Sequence, residues 1–140
     1  MQQGITQAHQ RGKKFFVTAN ILAHNAKLKT FLRDLEPIIA LKPDAMIMAD
    51  PGLILKVKEH WPEMPLHLSV QANTTNYWGV QFWQDIGISR IILSRELSLE
   101  EIKEIRQTCP DIELEVFVHG ALCIAYSGRC LLSGYFNHRL

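Results

Sequence analysis

Residues 66–71 read LHLSVQ, and the expected architecture follows from this short run. Apolar residues at positions 66, 68 and 70 alternate with His67, Ser69 and Gln71, which predicts a β-strand with one apolar and one polar face. A strand of an open sheet that helices cover on both sides is expected to be apolar on both faces. The polar face therefore favours a strand of a (β/α) barrel whose interior holds a ligand.

Similar segments recur along the chain, with a predicted helix between each strand and the next. This alternation, at intervals of about 21–31 residues, indicates βαβ units and a parallel sheet, that is, an α/β fold. A complete barrel needs eight such units in about 250 residues. We therefore expect residues 1–140 to form one domain, an incomplete TIM-like barrel truncated at both ends, and an open doubly wound sheet is the alternative. The predicted strands are residues 14–20, 45–49, 66–71, 90–94 and 114–118.

The helices between these strands have recognisable local signals. Asn25 is the predicted N-cap of the helix after the first strand. Ser98, with Glu101 three residues later, predicts a capping box for the helix after the fourth strand. In the helix before the fourth strand, Trp78 and Phe82 are expected to form, with Val80 and Ile86, a face that packs on the sheet as part of the core.

Composition narrows the class of protein without naming a function. Apolar residues make up 47% of the sequence and charged residues 21%, which are ordinary values for a globular domain. The net charge of +1 argues neither for nor against a nucleic-acid partner. The sequence opens without the apolar core of a signal peptide and has no run long enough to span a bilayer. We expect a cytoplasmic protein.

Cysteines lie in an unusual segment, residues 113–135, which reads ELEVFVHGALCIAYSGRCLLSGY. It predicts a buried strand followed by a loop that carries Cys123 and Cys130. Thiolates are soft ligands for zinc and iron–sulfur clusters, but two thiolates alone do not complete a cluster. The alternative is two buried thiols in a tight loop. Cys109 precedes a proline at a predicted helix end, and we interpret it as structural.

Polar residues at or just beyond the ends of the predicted strands are candidates for binding a substrate: Gln71, Asn73 and Arg95, together with Arg129 in the cysteine-bearing loop. The carboxyl ends of parallel strands form the active site of a barrel. An arginine there can hold a carboxylate or a phosphate through two parallel hydrogen bonds. The alternative for Arg95 is a structural ion pair with the neighbouring Glu96.

Arg95 is also a candidate for catalysis, together with three further residues. His119 directly follows the fifth predicted strand, and the near-neutral pKa typical of histidine suits an acid, a base or a phosphate contact. His67 and Glu115 are expected to point into the same space inside a barrel. A histidine hydrogen-bonded within the loop and a solvated glutamate at a sheet edge are the respective alternatives for His119 and Glu115.

The segment 113–135 resembles the signature of the collagenase-like peptidase family of unassigned catalytic type. The residues that carry the resemblance are Glu115, Phe117, Gly120, Ala121, Leu122, Cys123, Gly128, Cys130, Leu132 and Ser133. Within the family, the string VHGALCIAYSGRCLLSGY is most similar to a bacterial branch of tRNA hydroxylation proteins. Similar runs at 24–35, 50–54, 65–73 and 92–102 extend the resemblance over nearly the whole chain.

The resemblance implies a function that composition and spacing do not. That branch makes 5-hydroxyuridine at the wobble position of tRNA, with prephenate as the implied co-substrate. It also implies a 4Fe-4S cluster for which Cys123 and Cys130 would supply two ligands and the complete protein two more. The alternatives are a peptidase whose nucleophile is not evident in the sequence, and a non-catalytic fragment or binding module. We expect the isolated fragment to self-associate through open strand edges.

Overall fold

A computed structural model describes residues 1–120, 125–127, 129–131 and 135–136. The chain divides into two compact units, Met1–Leu66 and His67–Leu140, called here the first and second units. Each unit is described by itself. Strands and helices alternate along the chain, which confirms the predicted α/β class.

The first unit contains three helices and two complete strands. Its strands are parallel, with Phe16 opposite Ala45 and Thr18 opposite Ile47. The Met46 amide donates to the Pro65 carbonyl at 3.0 Å, so the segment that enters the third strand runs beside the second. The elements are α1 (Gln2–Gln10), β1 (Phe16–Thr18), α2 (Asn25–Ile39), β2 (Ala45–Met48) and α3 (Pro51–His60).

The second unit continues the same alternation, and the unit boundary falls inside its first strand. Its strand pairs are also parallel: His67 lies opposite Arg90, and Arg90 lies opposite Glu113. The elements are β3 (Leu66–Leu68), α4 (Tyr77–Asp85), β4 (Arg90–Ile92), α5 (Leu99–Thr108) and β5 (Glu113–Glu115).

Each unit has an apolar core between its strands and its helices. Fully burying one valine, leucine, isoleucine, phenylalanine or methionine side chain stabilises a fold by about 1.5–3 kcal/mol. In the first unit the buried residues include Val17, Phe31, Leu35, Met46, Met48, Leu53, Ile54 and Val57, and in the second Leu68, Val80, Ile88, Ile91, Ile92, Leu93, Ile105 and Ile112.

The third strand is shorter than predicted. β3 ends at Leu68, and residues Val70–Ala72 form a 3₁₀ turn, so the interpretation of 66–71 as one strand with Gln71 on its polar face is wrong. The physical cause is local. The hydroxyl of Ser69 accepts a hydrogen bond from the Gln71 amide at 3.3 Å, which competes with continuation of the strand.

The fifth strand also ends early. β5 stops at Glu115, and the next three residues, predicted to be strand, lie outside it. Val116 and Val118, expected on the buried face, are exposed, Val118 to 92%. The prediction of a buried strand over 114–118 is therefore wrong for its second half.

The predicted core face of α4 is correct at Val80 and wrong at Trp78 and Phe82. Trp78 and Phe82 are 73% and 55% exposed, whereas Val80 is fully buried. Residues two apart on a helix do not share a face, so the burial of Val80 turns Trp78 and Phe82 outward.

Helix ends are closer to the predictions. Ser98 and Glu101 form the predicted capping box at α5. At α2, His24 occupies the N-cap position and Asn25 is the first helical residue, one residue from the predicted cap. Within the described residues, no helix combines the length and apolar character needed to cross a membrane.

Candidate functional site

The segments that follow β3, β4 and β5 meet in the second unit. The Ser94 amide donates to the Thr74 carbonyl at 3.3 Å, and the Leu93 amide donates to the Glu115 carbonyl at 2.9 Å. These bonds bring the carboxyl ends of three neighbouring parallel strands to one edge. Ligands of parallel α/β folds bind at such an edge.

Asn73 lies in the segment after β3. Its backbone has φ 51° and ψ 49°, the left-handed region, which asparagine tolerates better than most residues. Its side-chain nitrogen Nδ2 donates to the carbonyl of Ser127 at 2.9 Å and, more weakly, to that of Gln71 at 3.4 Å. Asn73 therefore connects the end of β3 to the loop that carries Cys130.

Arg95 lies in the segment after β4 and is half-buried. Its guanidinium carbon Cζ lies 3.7 Å from the centroid of the Phe117 ring, and Nη1 donates to Ser127 Oγ at 3.2 Å. Glu96, the partner considered for Arg95 from the sequence, bonds instead to the hydroxyl of Ser94. Arg95 is thus directed towards the cysteine-bearing loop.

A polar face runs along the strands of the second unit. His67, Arg90 and Glu113 share this face because they are in register, and Glu115 lies on it two residues further along β5. Arg90 forms ion pairs with Glu113 at 2.7 Å and with Glu115 at 3.3 Å. His67 and Glu115 are therefore on the same face, and Glu115 is part of an ion-pair network.

The candidate cysteine ligands are only partly described. Cys123 lies outside the described residues, and Cys130 is half-buried. Cys109 is buried at the end of α5, its Sγ lies 3.7 Å from the Tyr77 carbonyl, and burial raises the pKa of its thiol. A high thiol pKa disfavours the thiolate that binds metals, in keeping with a structural role. Over the described part of the chain, no group of three or more His, Cys, Asp or Glu could hold a metal ion.

The remaining candidates lie near the same edge. His119 follows β5 and is exposed, as is Arg129, whose backbone amide donates to the Tyr126 carbonyl at 2.9 Å. Gln71 is half-buried in the 3₁₀ turn. The sequence did not assign Phe117 or Ser127 to a binding site, although Phe117 stands in the family signature. Their contacts with Arg95 span 22 and 32 positions, and no local pattern reveals such pairings.

These features define a parallel α/β protein in whose second unit polar and aromatic side chains lie at the carboxyl ends of the strands. Residues 1–140 match Peptidase family U32, and the chain belongs to that family. The chain is similar in fold to the solved structure of the U32 peptidase Mk0906, with a TM-score of 0.75 and 21% identity over 98% of this chain and 60% of that one.

The relatives that are similar to the chain in sequence include two bacterial proteins. "tRNA hydroxylation protein P" of Escherichia coli (strain K12) is 67% identical over 139 residues, which are 99% of this chain and 31% of that protein. "23S rRNA 5-hydroxycytidine C2501 synthase" of the same organism is 37% identical over 90% of this chain and 19% of that protein. The chain therefore spans about a third or less of the length of these relatives.

Proposed function

We propose that the complete protein is an enzyme that hydroxylates tRNA, forming 5-hydroxyuridine at the wobble position. The names of both relatives describe hydroxylation of RNA, one of tRNA and one of 23S rRNA. At 67% identity, the similarity to the tRNA hydroxylation protein covers nearly every residue of the second unit, including the strand ends. We also propose a cytoplasmic location, because tRNA, the proposed substrate, is found there.

Arg95 stacked on Phe117 is the observation on which the proposal chiefly rests. A guanidinium group binds phosphate through charge-assisted hydrogen bonds. An aromatic side chain offers a surface on which an unpaired base can stack, and Phe117 is 47% exposed. A half-buried arginine beside an exposed aromatic ring, at the carboxyl ends of parallel strands, suits a nucleotide drawn out of an RNA loop.

Prephenate is the proposed co-substrate. It carries two carboxylates, and each is a suitable partner for an arginine fork. Arg95 and Arg129 are the proposed contacts, with Gln71 and Asn73 as polar neighbours. The proposed roles of His119, His67 and Glu115 in proton transfer stay predictions. Calorimetric titration of prephenate into the full-length protein and into its Arg129→Ala variant tests the carboxylate contact.

A 4Fe-4S cluster is the proposed cofactor of the complete protein, with Cys123 and Cys130 as two of its four thiolate ligands. The described residues do not complete such a site, so no chemical step is assigned to the cluster. Iron and acid-labile sulfide should be measured on anaerobically prepared protein, comparing residues 1–140 with the chain extended past Leu140. We expect both elements only in the extended chain and their loss in Cys130→Ser. Their absence from both would overturn the assignment.

Analysis of the wobble nucleoside of tRNA tests the proposed hydroxylation directly. Full-length protein is incubated with unmodified tRNA, with and without prephenate, and wobble nucleosides are identified by mass spectrometry. Formation of 5-hydroxyuridine supports the proposal. Retention of RNA without hydroxylation under all conditions would favour the binding-module alternative.

Proteolysis is the second candidate function, favoured by the family's designation as peptidases and by the fold shared with a U32 peptidase. Its test is cleavage of denatured collagen by the full-length protein. Cleavage that survives both Cys123→Ala and metal chelation would support it.

Self-association of the 140-residue chain stays a prediction. It is consistent with exposed apolar side chains such as Val116, Phe117 and Val118 beyond β5. Small-angle scattering checks it, and a monomer at every concentration would contradict it.

A further inference from the structure

The turn after β3 holds Asn73 in a conformation that few side chains adopt. Its amide N–H donates to the Val70 carbonyl at 3.0 Å and closes the 3₁₀ turn, while its own backbone is left-handed. Most residues with a Cβ are disfavoured there, and asparagine and glycine are the usual occupants. Backbone geometry alone therefore permits glycine as well as asparagine at position 73.

The side chain of Asn73 has a use that glycine would lack. Its two hydrogen-bond partners, the carbonyls of Ser127 and Gln71, can only accept hydrogen bonds. The NH₂ end of the amide must therefore face them, which fixes the orientation of the group. A carboxylate in the same place would present oxygen to oxygen.

Ser127 receives donors from the ends of two strands. Its carbonyl accepts from Asn73, after β3, and its hydroxyl accepts from Arg95, after β4. The neighbouring amide of Arg129 closes a turn onto the Tyr126 carbonyl at 2.9 Å. The described part of the loop, residues 125–127 and 129–131, is therefore attached to the strand ends at one residue by two independent hydrogen bonds.

We propose that Asn73 is a positioning residue, which fixes the loop carrying Arg129 and Cys130 over the strand ends through the Ser127 carbonyl. Because Asn73 holds Ser127 through its carbonyl, it also fixes the position of the Ser127 hydroxyl that Arg95 contacts. The loop attachment follows from geometry alone, and the consequence for catalysis rests on the proposed function.

Hydrogen exchange at single amides in the full-length protein tests the attachment. The Arg129 amide reports on the loop, and the Leu93 amide, bonded to the Glu115 carbonyl, is the reference in the sheet. Asn73→Gly keeps the left-handed backbone and removes only the side-chain amide. An ordinary hydrogen bond of this kind corresponds to about a fivefold change in an opening equilibrium. We therefore expect exchange at Arg129 to rise about fivefold, and exchange at Leu93 to stay unchanged.

Two further variants separate the contributions. Asn73→Asp keeps the shape of the side chain but turns a donor into an acceptor, so exchange at Arg129 should rise more than in Asn73→Gly. Ser127→Ala removes the hydroxyl but keeps the carbonyl, so Asn73→Gly should still accelerate exchange at Arg129 in that background. Unchanged exchange at Arg129 in Asn73→Gly, or equal acceleration at Arg129 and Leu93, would overturn the proposal.

An activity measurement then tests whether the attachment of the loop by Asn73 affects tRNA hydroxylation. If the loop carries reacting groups, Asn73→Gly should lower kcat for tRNA hydroxylation more than it raises KM for tRNA. A wild-type protein that does not hydroxylate tRNA would remove the proposed function and leave the exchange result standing. Faster exchange at Arg129 with unchanged kcat would restrict Asn73 to a structural role and overturn its positioning role.

Discussion

Asp50 of the first unit and Arg95 of the second unit both follow a buried strand, but their side chains have different partners. Both carboxylate oxygens of Asp50 accept backbone amides of their own unit: Oδ1 from Leu53 at 3.0 Å and Oδ2 from Ala23 at 3.3 Å. Arg95 bonds through Nη1 to the side chain of Ser127, and an arginine has five N–H donors in all. We therefore expect a charged residue at a strand end to be available for a ligand when local backbone does not use its polar atoms.

The largest effect that this comparison predicts is at Arg95. In the full-length protein, Arg95→Ala should lower RNA affinity about 10- to 100-fold, because a hydrogen bond to a charged group contributes about 1.5–3 kcal/mol. Its effect on stability should be small. Arg95→Lys is the matched control: it keeps the charge but not the planar fork, so an intermediate affinity is expected. Fluorescence anisotropy with a labelled anticodon stem-loop measures both. Unchanged affinity combined with a lower melting temperature would make Arg95 structural, like Asp50.

Asp50 should show the opposite pattern. Asp50→Ala removes the side-chain cap of α3, which costs about 1–2 kcal/mol of unfolding free energy. Asp50→Asn keeps an oxygen that can accept from Leu53 and should retain most of that stability. Urea denaturation of the 140-residue chain measures the loss, and RNA binding by the full-length protein should not change. A large loss of RNA affinity in Asp50→Asn would show that the first unit also contributes to the site.

Local patterns explain why much of the fold could be predicted. The capping box of Ser98 and Glu101 depends on residues within one helical turn, and short apolar runs between the predicted helices located every strand. Strand ends were harder, because a single hydroxyl, that of Ser69, turns the chain away from the ladder. Trp78 was assigned to the core by its apolar character, whereas its exposure is set by which face of α4 buries Val80.

The candidate site could be predicted only in part for a related reason. Asn73 and Arg95 were predicted to bind substrate because they lie beyond strand ends, a property visible in the sequence. Their shared partner, Ser127, lies 54 and 32 positions away, and only the fold brings it to them. Cys123 lies outside the described residues, and its role as a cluster ligand stays a prediction.

The smallest predicted effect is at Asp44, a second carboxylate of the first unit whose contacts indicate a structural role. The backbone amide of Phe15 donates to Asp44 at 2.6 Å, and His9 Nε2 lies 2.9 Å from the same oxygen. The Phe15 hydrogen bond, followed by the contact with His9, holds the pKa of Asp44 below its usual value. A carboxylate whose pKa is lower when folded stabilises the fold above its unfolded pKa of about 3.9, and this contribution is lost as the pH falls through the folded pKa.

Replacing Asp44 by asparagine removes this titration while keeping the size of the side chain. We expect Asp44→Asn to be less stable than wild type by about 1 kcal/mol at pH 6. The gap should narrow as the pH is lowered from about 4 towards 2, because the wild-type protein alone loses this contribution. Urea denaturation of both proteins across that range measures the difference. A constant gap at every pH would mean that the carboxylate charge contributes nothing, and that Asp44 acts only through the neutral hydrogen bond that asparagine shares.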